Sequence, residues 1–342
     1  MMQNEPGLLD KNSCIPDDRD YTEKLLILKP SALMEDFRKP YFQYFYAMSG
    51  FGCKPDKLGS KVYGKFLADG ENCYFYRNDF VGVADKEQLP QWAKKRLESF
   101  TSPKMQIRVF QINDIRDSEK VIFGSYDEAM KKGGIRPEIY RQVYGGTVNC
   151  SDLESVFALC NNKHPPGYYG HSLSVSDVIE ICSGDKKGFY YCDRIGFQKI
   201  DFDIEKADRS DILKVLIIES GKEPYTAEIR DELQAKQSVV GGLIEPVYFA
   251  RDDKALIYCD EEFLLKGYEP NRKAGELIIH GTFMVVGNGE NRYGEGIEVS
   301  LTDKQIREYT EMFRYPLIYM TNEEIAGMQE ETEEQAEDIS LT

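Results

Sequence analysis

Residues 164–181 read HPPGYYGHSLSVSDVIEI. Pro165 and Pro166 end whatever helix precedes them, because proline lacks the amide a helix needs and disfavours helical geometry before it. Leu173 and Val175 then alternate with Ser172, Ser174 and Ser176, the period of a half-buried strand. Beyond them VIEIC and FYYC flank the turn SGDKKG, which predicts a β-hairpin. Short alternating strands beside short helices predict an α+β fold: small mixed modules in series, mostly antiparallel sheets with short packing helices.

The flanking sequence repeats this pattern. Upstream, MQIRVFQI reads as a strand, and VIFGSYDEAMKKGG as a strand passing into a short helix stopped by two glycines. Ser151 followed by Glu154 has the spacing of a capping box for a helix whose inner face is Leu153, Val156, Phe157 and Cys160. Downstream, LKVLIIE reads as a strand and TAEIRDELQAKQSVVGG as a helix capped by Thr226, with Ile229, Leu233 and Val240 inward. LIEPVYFA, KALIYCDEE and LIIHGTFMVVG read as three strands. LTDKQIREYTEMF reads as a last helix capped by Thr302, with Ile306, Tyr309 and Phe313 inside. Nearer the start, aromatic strands with a turn at Asp69 and Gly70 lead into a helix bearing Leu89, Trp92, Ala93 and Leu97. The predicted division is a strand-rich module over 20–103, a second module over 104–207, a third over 208–316 and an acidic tail over 317–342.

The two histidines of the opening stretch, His164 and His171, with Ser172 beside the second, raise the question of nucleophilic catalysis. No GxSxG elbow or oxyanion-hole motif accompanies them. Adjacent residues of a strand also face opposite ways, so His171 and Ser172 are not expected to share a proton. His280 is the third histidine and lies far along the chain; a site assembled from all three by folding is the weaker expectation. Eight cysteines occur without a CxxC pair, so the expectation is reduced, mostly buried thiols and no metal site. The loop GNGENRYGEG lacks the GxxxxGK[ST] pattern of a phosphate cradle. No catalytic, cofactor-binding or metal-ligating residue is predicted.

The net charge of −16 is unevenly spread. Residues 1–200 carry 27 acidic and 28 basic side chains, residues 201–342 carry 32 and 15, and 317–342 hold eight acids and no base. Affinity for nucleic-acid backbones comes mainly from Lys and Arg, so direct nucleic-acid binding is not expected. The expected partner is a protein, one with a basic surface. The candidate interface residues are Asp260, Glu261 and Glu262 together with Glu330, Glu331, Glu333, Glu334, Glu337 and Asp338. No apolar run reaches the roughly 20 residues of a membrane span, and the first residues lack the basic and apolar regions of a secretory signal. A cytoplasmic protein with no membrane partner is expected.

GHSLSVSD, the hairpin after it and the GF dipeptide at 196–197, taken with IRVFQI and FYYCDRIGFQKIDF, resemble the YodL-type domain. That small family is carried by conjugative elements and phages of Gram-positive bacteria. The resemblance implies a genetic context and supplies no active-site residue. IIESGKEPY, SVVGG and LTDKQI are similar to an uncharacterised domain family of phage and mobile-element accessory proteins. Together they imply a non-enzymatic accessory protein in a bacterial host cell that binds a host protein. An anti-defence inhibitor, anti-restriction or anti-CRISPR, would offer carboxylates to the cationic groove of a nucleic-acid-binding defence protein. The alternative is a replication or transfer scaffold that docks element-encoded proteins.

Overall fold

The computed structural model describes residues 7–16, 19–54, 59–249, 254–321 and 323–327. The described residues of Met1–Thr101, Ser220–Glu223 and Arg314–Thr342 form one compact unit, and those of Ser102–Glu219 and Pro224–Phe313 a second.

The first unit is built on β1 (Leu25–Leu28), β2 (Tyr44–Ser49), β3 (Lys61–Phe66), β4 (Asn72–Tyr76) and β5 (Phe80–Val83), in the order β4-β3-β2-β1-β5, with helix α1 (Gln91–Thr101). Alternation sorts its side chains. Leu25, Ile27, Tyr44 and Tyr46 pack on Ala93 and Leu97 of α1, while Leu26, Leu28, Phe45, Ala47 and Val62 fill the other face. The β3–β4 turn falls where the sequence places it: Gly70 takes the left-handed conformation (φ +82°), and Asp69 Oδ1 accepts the Glu71 amide at 2.8 Å. Two segments from far along the chain complete the unit. Arg96, fully buried, donates through Nε to the Leu67 carbonyl at 3.0 Å and through Nη1 to that of Gly221 at 3.1 Å. Tyr319 packs its ring 4.7 Å from Tyr41 and 5.8 Å from Trp92. Leu317 and Ile325 are buried, and Thr321 and Glu324 cap a final helical turn. The acidic tail expected from residue 317 therefore does not begin there; residues 317–321 and 323–327 carry the apolar anchors of a folded core.

The second unit holds β6 (Met105–Ile112), α2 (Tyr126–Lys131), β7 (Tyr140–Val148), α3 (Leu153–Asn162), β8 (Val178–Ile181), β9 (Gly188–Cys192), β10 (Phe197–Ile200), β11 (Ile212–Ile218), β12 (Tyr225–Arg230), α4 (Leu233–Val240), β13 (Ile244–Val247), β14 (Ala255–Asp260), β15 (Pro270–Ala274), β16 (Leu277–His280), β17 (Phe283–Glu290), β18 (Gly296–Val299) and α5 (Asp303–Met312). Eleven of these strands make one antiparallel sheet, β10-β9-β8-β6-β7-β12-β11-β17-β14-β13 with β18 beside β17; β15 and β16 pair separately.

The fold is the expected series of small α+β modules with mostly antiparallel strands, and β7 of the module 104–207 pairs with β12 of the module 208–316, so the two share one continuous sheet. Asp208, between them, is bonded into the fold: its amide donates to the Tyr140 carbonyl and its carbonyl accepts the Gln142 amide, with Phe202 and Ala207 buried alongside. Other local expectations are corrected by competing hydrogen bonds. Thr226 lies inside β12, where Ala227 and Ile229 point inward at a period of two, and α4 begins only after Glu232. Asp152, not Ser151, caps α3 by accepting the Ser155 amide at 2.8 Å. Residues 121–124 form a turn, and Ser125 caps α2. LIIHGTFMVVG breaks at Gly281 (φ +72°) into β16 and β17. The helix at 303–312 keeps its expected cap, Thr302 with Gln305 completing the box.

Candidate functional site

Residues 171–177 are bent, not extended. The Asp177 carboxylate draws the Ser174 amide to Oδ2 at 2.8 Å, and Ser176 turns left-handed (φ +81°), so a local side-chain bond displaces the strand. The loop closes around Gln111 of β6. Gln111 Oε1 accepts the His171 amide at 3.1 Å, and its Nε2 donates to the His171 carbonyl at 2.8 Å and to Asp177 Oδ2 at 3.0 Å. A Cβ on Gly170 would stand 2.2 Å from Gln111 Oε1, which explains the glycine of GHSLSVSD. The Tyr168 hydroxyl donates to the same His171 carbonyl at 2.9 Å.

Asp177 is fully buried, and its Oδ1 has no hydrogen-bond partner. Burial pushes its carboxyl up to about 8 against the pull of the Ser174 amide and the Gln111 side chain. His171, partly open to solvent, places Nε2 3.7 Å from that orphan oxygen, while its Nδ1 stands 2.8 Å from the Ser172 carbonyl. Nδ1 also stands 3.0 Å from the Gln111 Nε2 donor. The imidazole thus addresses Asp177 and the Ser172 main chain. The three histidines stay apart: His164 packs on Tyr168 at 4.6 Å and His280 stacks on Phe263 at 5.6 Å.

Because the native state holds the Asp177 proton and the unfolded chain, near pH 4, does not, this group's contribution is full below pH 4 and is lost as pH rises through about 8. D177N stays neutral throughout. Relative to D177N, wild type is expected to lose about 1.4 kcal/mol of stability per pH unit between pH 5 and pH 7. Chemical denaturation of both proteins at the two pH values checks this, and an unchanging difference would mean that Asp177 is ionised in the fold.

On the sheet face away from α3 and α4, registers align Glu180, Arg108, Gly145, Glu228 and Lys214 in one row across five strands. Arg108 grips Glu228 with two bonds, Nε to Oε2 at 2.7 Å and Nη2 to Oε1 at 3.0 Å, and reaches Glu180 through Nη1 at 2.9 Å. Gly145 makes this possible, since a Cβ there would stand 3.0 Å from both the Cβ and Oε2 of Glu228. Burial alone raises Glu228, but hydrogen bonds from Arg108 and Gln142 outweigh it and hold its carboxyl below the usual range. Glu228 in turn holds the Arg108 guanidinium well above its ordinary value.

Residues 106–202, which contain Gln111, the bent loop and Asp177, match the family model of the YodL-like domain. These residues form a YodL-like domain. Residues 213–314 match a domain of unknown function (DUF3846). No curated protein and no solved structure matches the chain. The charged row therefore crosses a family boundary, with Arg108 supplied by the YodL-like domain and Glu228 by DUF3846. The opposite face crosses it too: Gly167 of the YodL-like domain (φ +86°) sits where a Cβ would stand 2.4 Å from Ile229 Cγ2 and 3.3 Å from Val239 Cγ2.

The predicted interface residues separate. Asp260, at the end of β14, is buried, with Oδ2 2.6 Å from Lys266 Nζ and Oδ1 accepting the Glu262 amide; it is an internal anchor and leaves the surface set. Glu261 and Glu262 are exposed on the following turn. Glu330, Glu331, Glu333, Glu334, Glu337 and Asp338 lie outside the described residues. Sequence reasoning passed over Asp177, Gln111 and the Arg108–Glu228 pair. The signals were a charged residue inside IRVFQI and an aspartate closing the serine run.

Proposed function

We propose that this chain is a non-enzymatic accessory protein of a phage or conjugative element, acting in the host cytoplasm as an anti-defence inhibitor that binds a basic host protein. The observation that carries the reading is a ridge at the end of β14: Leu264 and Leu265 are 67% and 87% exposed, beside the exposed Glu261 and Glu262. Leu243 adds a third exposed apolar side chain, its carbonyl accepting the Glu261 amide at 3.0 Å. Clustered apolar side chains with a charged rim mark protein contacts. Here the rim carries the carboxylates of Glu261 and Glu262 with one lysine, Lys266, 3.7 Å from Glu262, and this net negative charge suits a groove built for phosphates and steers a cationic partner towards it. The carboxylates of 330–338 extend that attraction at longer range, and salt weakens all of it.

The test is a pull-down with the full chain from host lysate, followed by affinity measurement on the captured protein. A host-encoded nucleic-acid-binding protein is expected. L264S/L265S is expected to weaken its binding at least about tenfold with an unchanged melting temperature, and E261Q/E262Q to slow association at low salt. Capture of element-encoded proteins alone would instead favour a replication or transfer scaffold. Full affinity in L264S/L265S would remove the ridge from the contact.

A further inference from the structure

The acidity that argues against nucleic-acid binding belongs to the second part of the chain. Residues 51–65, FGCKPDKLGSKVYGK, carry four lysines and one aspartate. Among the described residues of the first unit, Phe51, Lys54, Lys61, Tyr63 and Tyr76, with Gly50, Gly59 and Ser60, line a surface groove of about 650 Å³. Its floor is the face of β3 and β4, where the register sets Lys61 opposite Tyr76, Tyr63 opposite Tyr74 and Lys65 opposite Asn72. The alternate residues Val62, Phe66 and Phe75 pack into the core, so Tyr63, Tyr74 and Tyr76 face outward because the pleat requires it. All three are exposed in this way, and Phe51 is 68% exposed.

The rings stand side by side along the face, Tyr63 tilted 48° to Tyr74 and Tyr76 edge-on to it at 87°, so each presents its own surface. Tyr63 and Tyr74 lie 5.7 Å apart, Tyr74 and Tyr76 6.2 Å, and Lys61 Nζ stands 4.2 Å above the Tyr74 ring. The wall is held by glycines: a Cβ on Gly50 would stand 2.4 Å from the Lys61 carbonyl and one on Gly52 2.2 Å from that of Ser60. That close approach clamps the Phe51 turn against the start of β3. Lys54 leans on Asp20 at 3.5 Å in the open, whereas the mostly buried Lys65 reaches Glu223 at 3.5 Å and covers the Phe100 ring at 4.4 Å.

Exposed rings in a row with ammonium groups between them match the chemistry of unpaired bases on a phosphate chain, in which each base stacks on a ring and each phosphate meets a lysine. A duplex hides its base faces and offers this surface only phosphates. We propose that the β3–β4 face of the first unit binds single-stranded nucleic acid, Phe51, Tyr63, Tyr74 and Tyr76 stacking on bases and Lys54 and Lys61 meeting phosphates.

The test is fluorescence anisotropy of a labelled 15-mer oligothymidylate and of a duplex of equal length, titrated with the full chain between 50 and 200 mM salt. The expected result is saturable binding of the single strand, at least about tenfold weaker binding of the duplex, and a log–log salt slope near roughly −1.4 for two neutralised phosphates. F51A and Y76A, both at exposed positions, are each expected to weaken binding at least about fivefold with unchanged circular dichroism, and K61Q to flatten the slope by about 0.7. Absence of saturable binding at 50 mM salt, equal binding of the duplex, or full affinity in the F51A/Y76A double variant would overturn the proposal. So would a groove that ignores the oligonucleotide and instead takes a synthetic peptide of residues 328–342, which would assign it to an acidic peptide.

Discussion

R108A is expected to destabilise the second unit by about 2–4 kcal/mol, the range for stranding a buried charge, lowered because about a fifth of each partner side chain remains open to water. Without the guanidinium, Glu228 keeps its burial and loses its two strongest bonds, retaining Gln142 at 2.7 Å and Arg209 at 3.5 Å, and Glu180 stays on the same face unpaired with Arg108. The loss is therefore expected to shrink on acidification, as Glu228 becomes free to protonate. E228Q added to R108A removes the stranded charge and is expected to recover about half of the loss. R108K keeps the charge without the two-pronged grip and should fall between. Urea denaturation of the four proteins decides it; a loss under about 0.5 kcal/mol in R108A would show that the row is solvated in solution.

G167A is expected to cost about 2–5 kcal/mol, from two sources. A left-handed backbone charges any L side chain about 1–2 kcal/mol, and a methyl 2.4 Å from Ile229 Cγ2 must displace a packed β12 side chain, a further 1–3 kcal/mol. Gly196 separates the two. It is also left-handed (φ +72°), but an added Cβ there meets nothing within 4 Å, so G196A is expected to lose only the backbone part. Shortening Ile229 to alanine should make G167A cheaper than in the wild-type background, a coupling that a double-mutant cycle measures. Equal losses in G167A and G196A would mean that the Pro-Pro-Gly loop gives way without moving Ile229.

The elements legible in the sequence were those whose period and caps agree. The hairpin after SVSD, the Asp69–Gly70 turn and the Thr302 helix each carry two independent local signals, and each stands where the sequence puts it. The seam between the two family domains was illegible for local reasons. β7 reads YRQVYGGTV, and paired glycines normally mark a loop; here they keep Arg108 and Tyr144 within reach of their neighbours. β12 reads YTAEIR, in which Ala227, Glu228 and Arg230 favour a helix and Tyr225, Thr226 and Ile229 a strand; pairing to β7 and β11 decides for the strand. With both partners of one pairing hidden, the modules were legible and the sheet that joins two of them was not. Asp177 was hidden differently, since its importance comes from a burial that no neighbour in sequence reveals.

The late strands of chain that complete the first unit bear on its manufacture. At about 5–20 residues per second, a ribosome spends roughly 10–40 s between releasing Thr101 and releasing Arg314. Throughout that interval Tyr41, Phe42 and Trp92 lack Tyr319, and Arg96 lacks the Gly221 carbonyl for somewhat more than the first half. A unit whose sheet is made before the second unit is thus among the last to finish, leaving an aromatic face open while translation proceeds. A stop codon placed before residue 314 would make that unfinished state permanent, and such truncated chains should be found with chaperones or in aggregates even though every strand of the first sheet has been made.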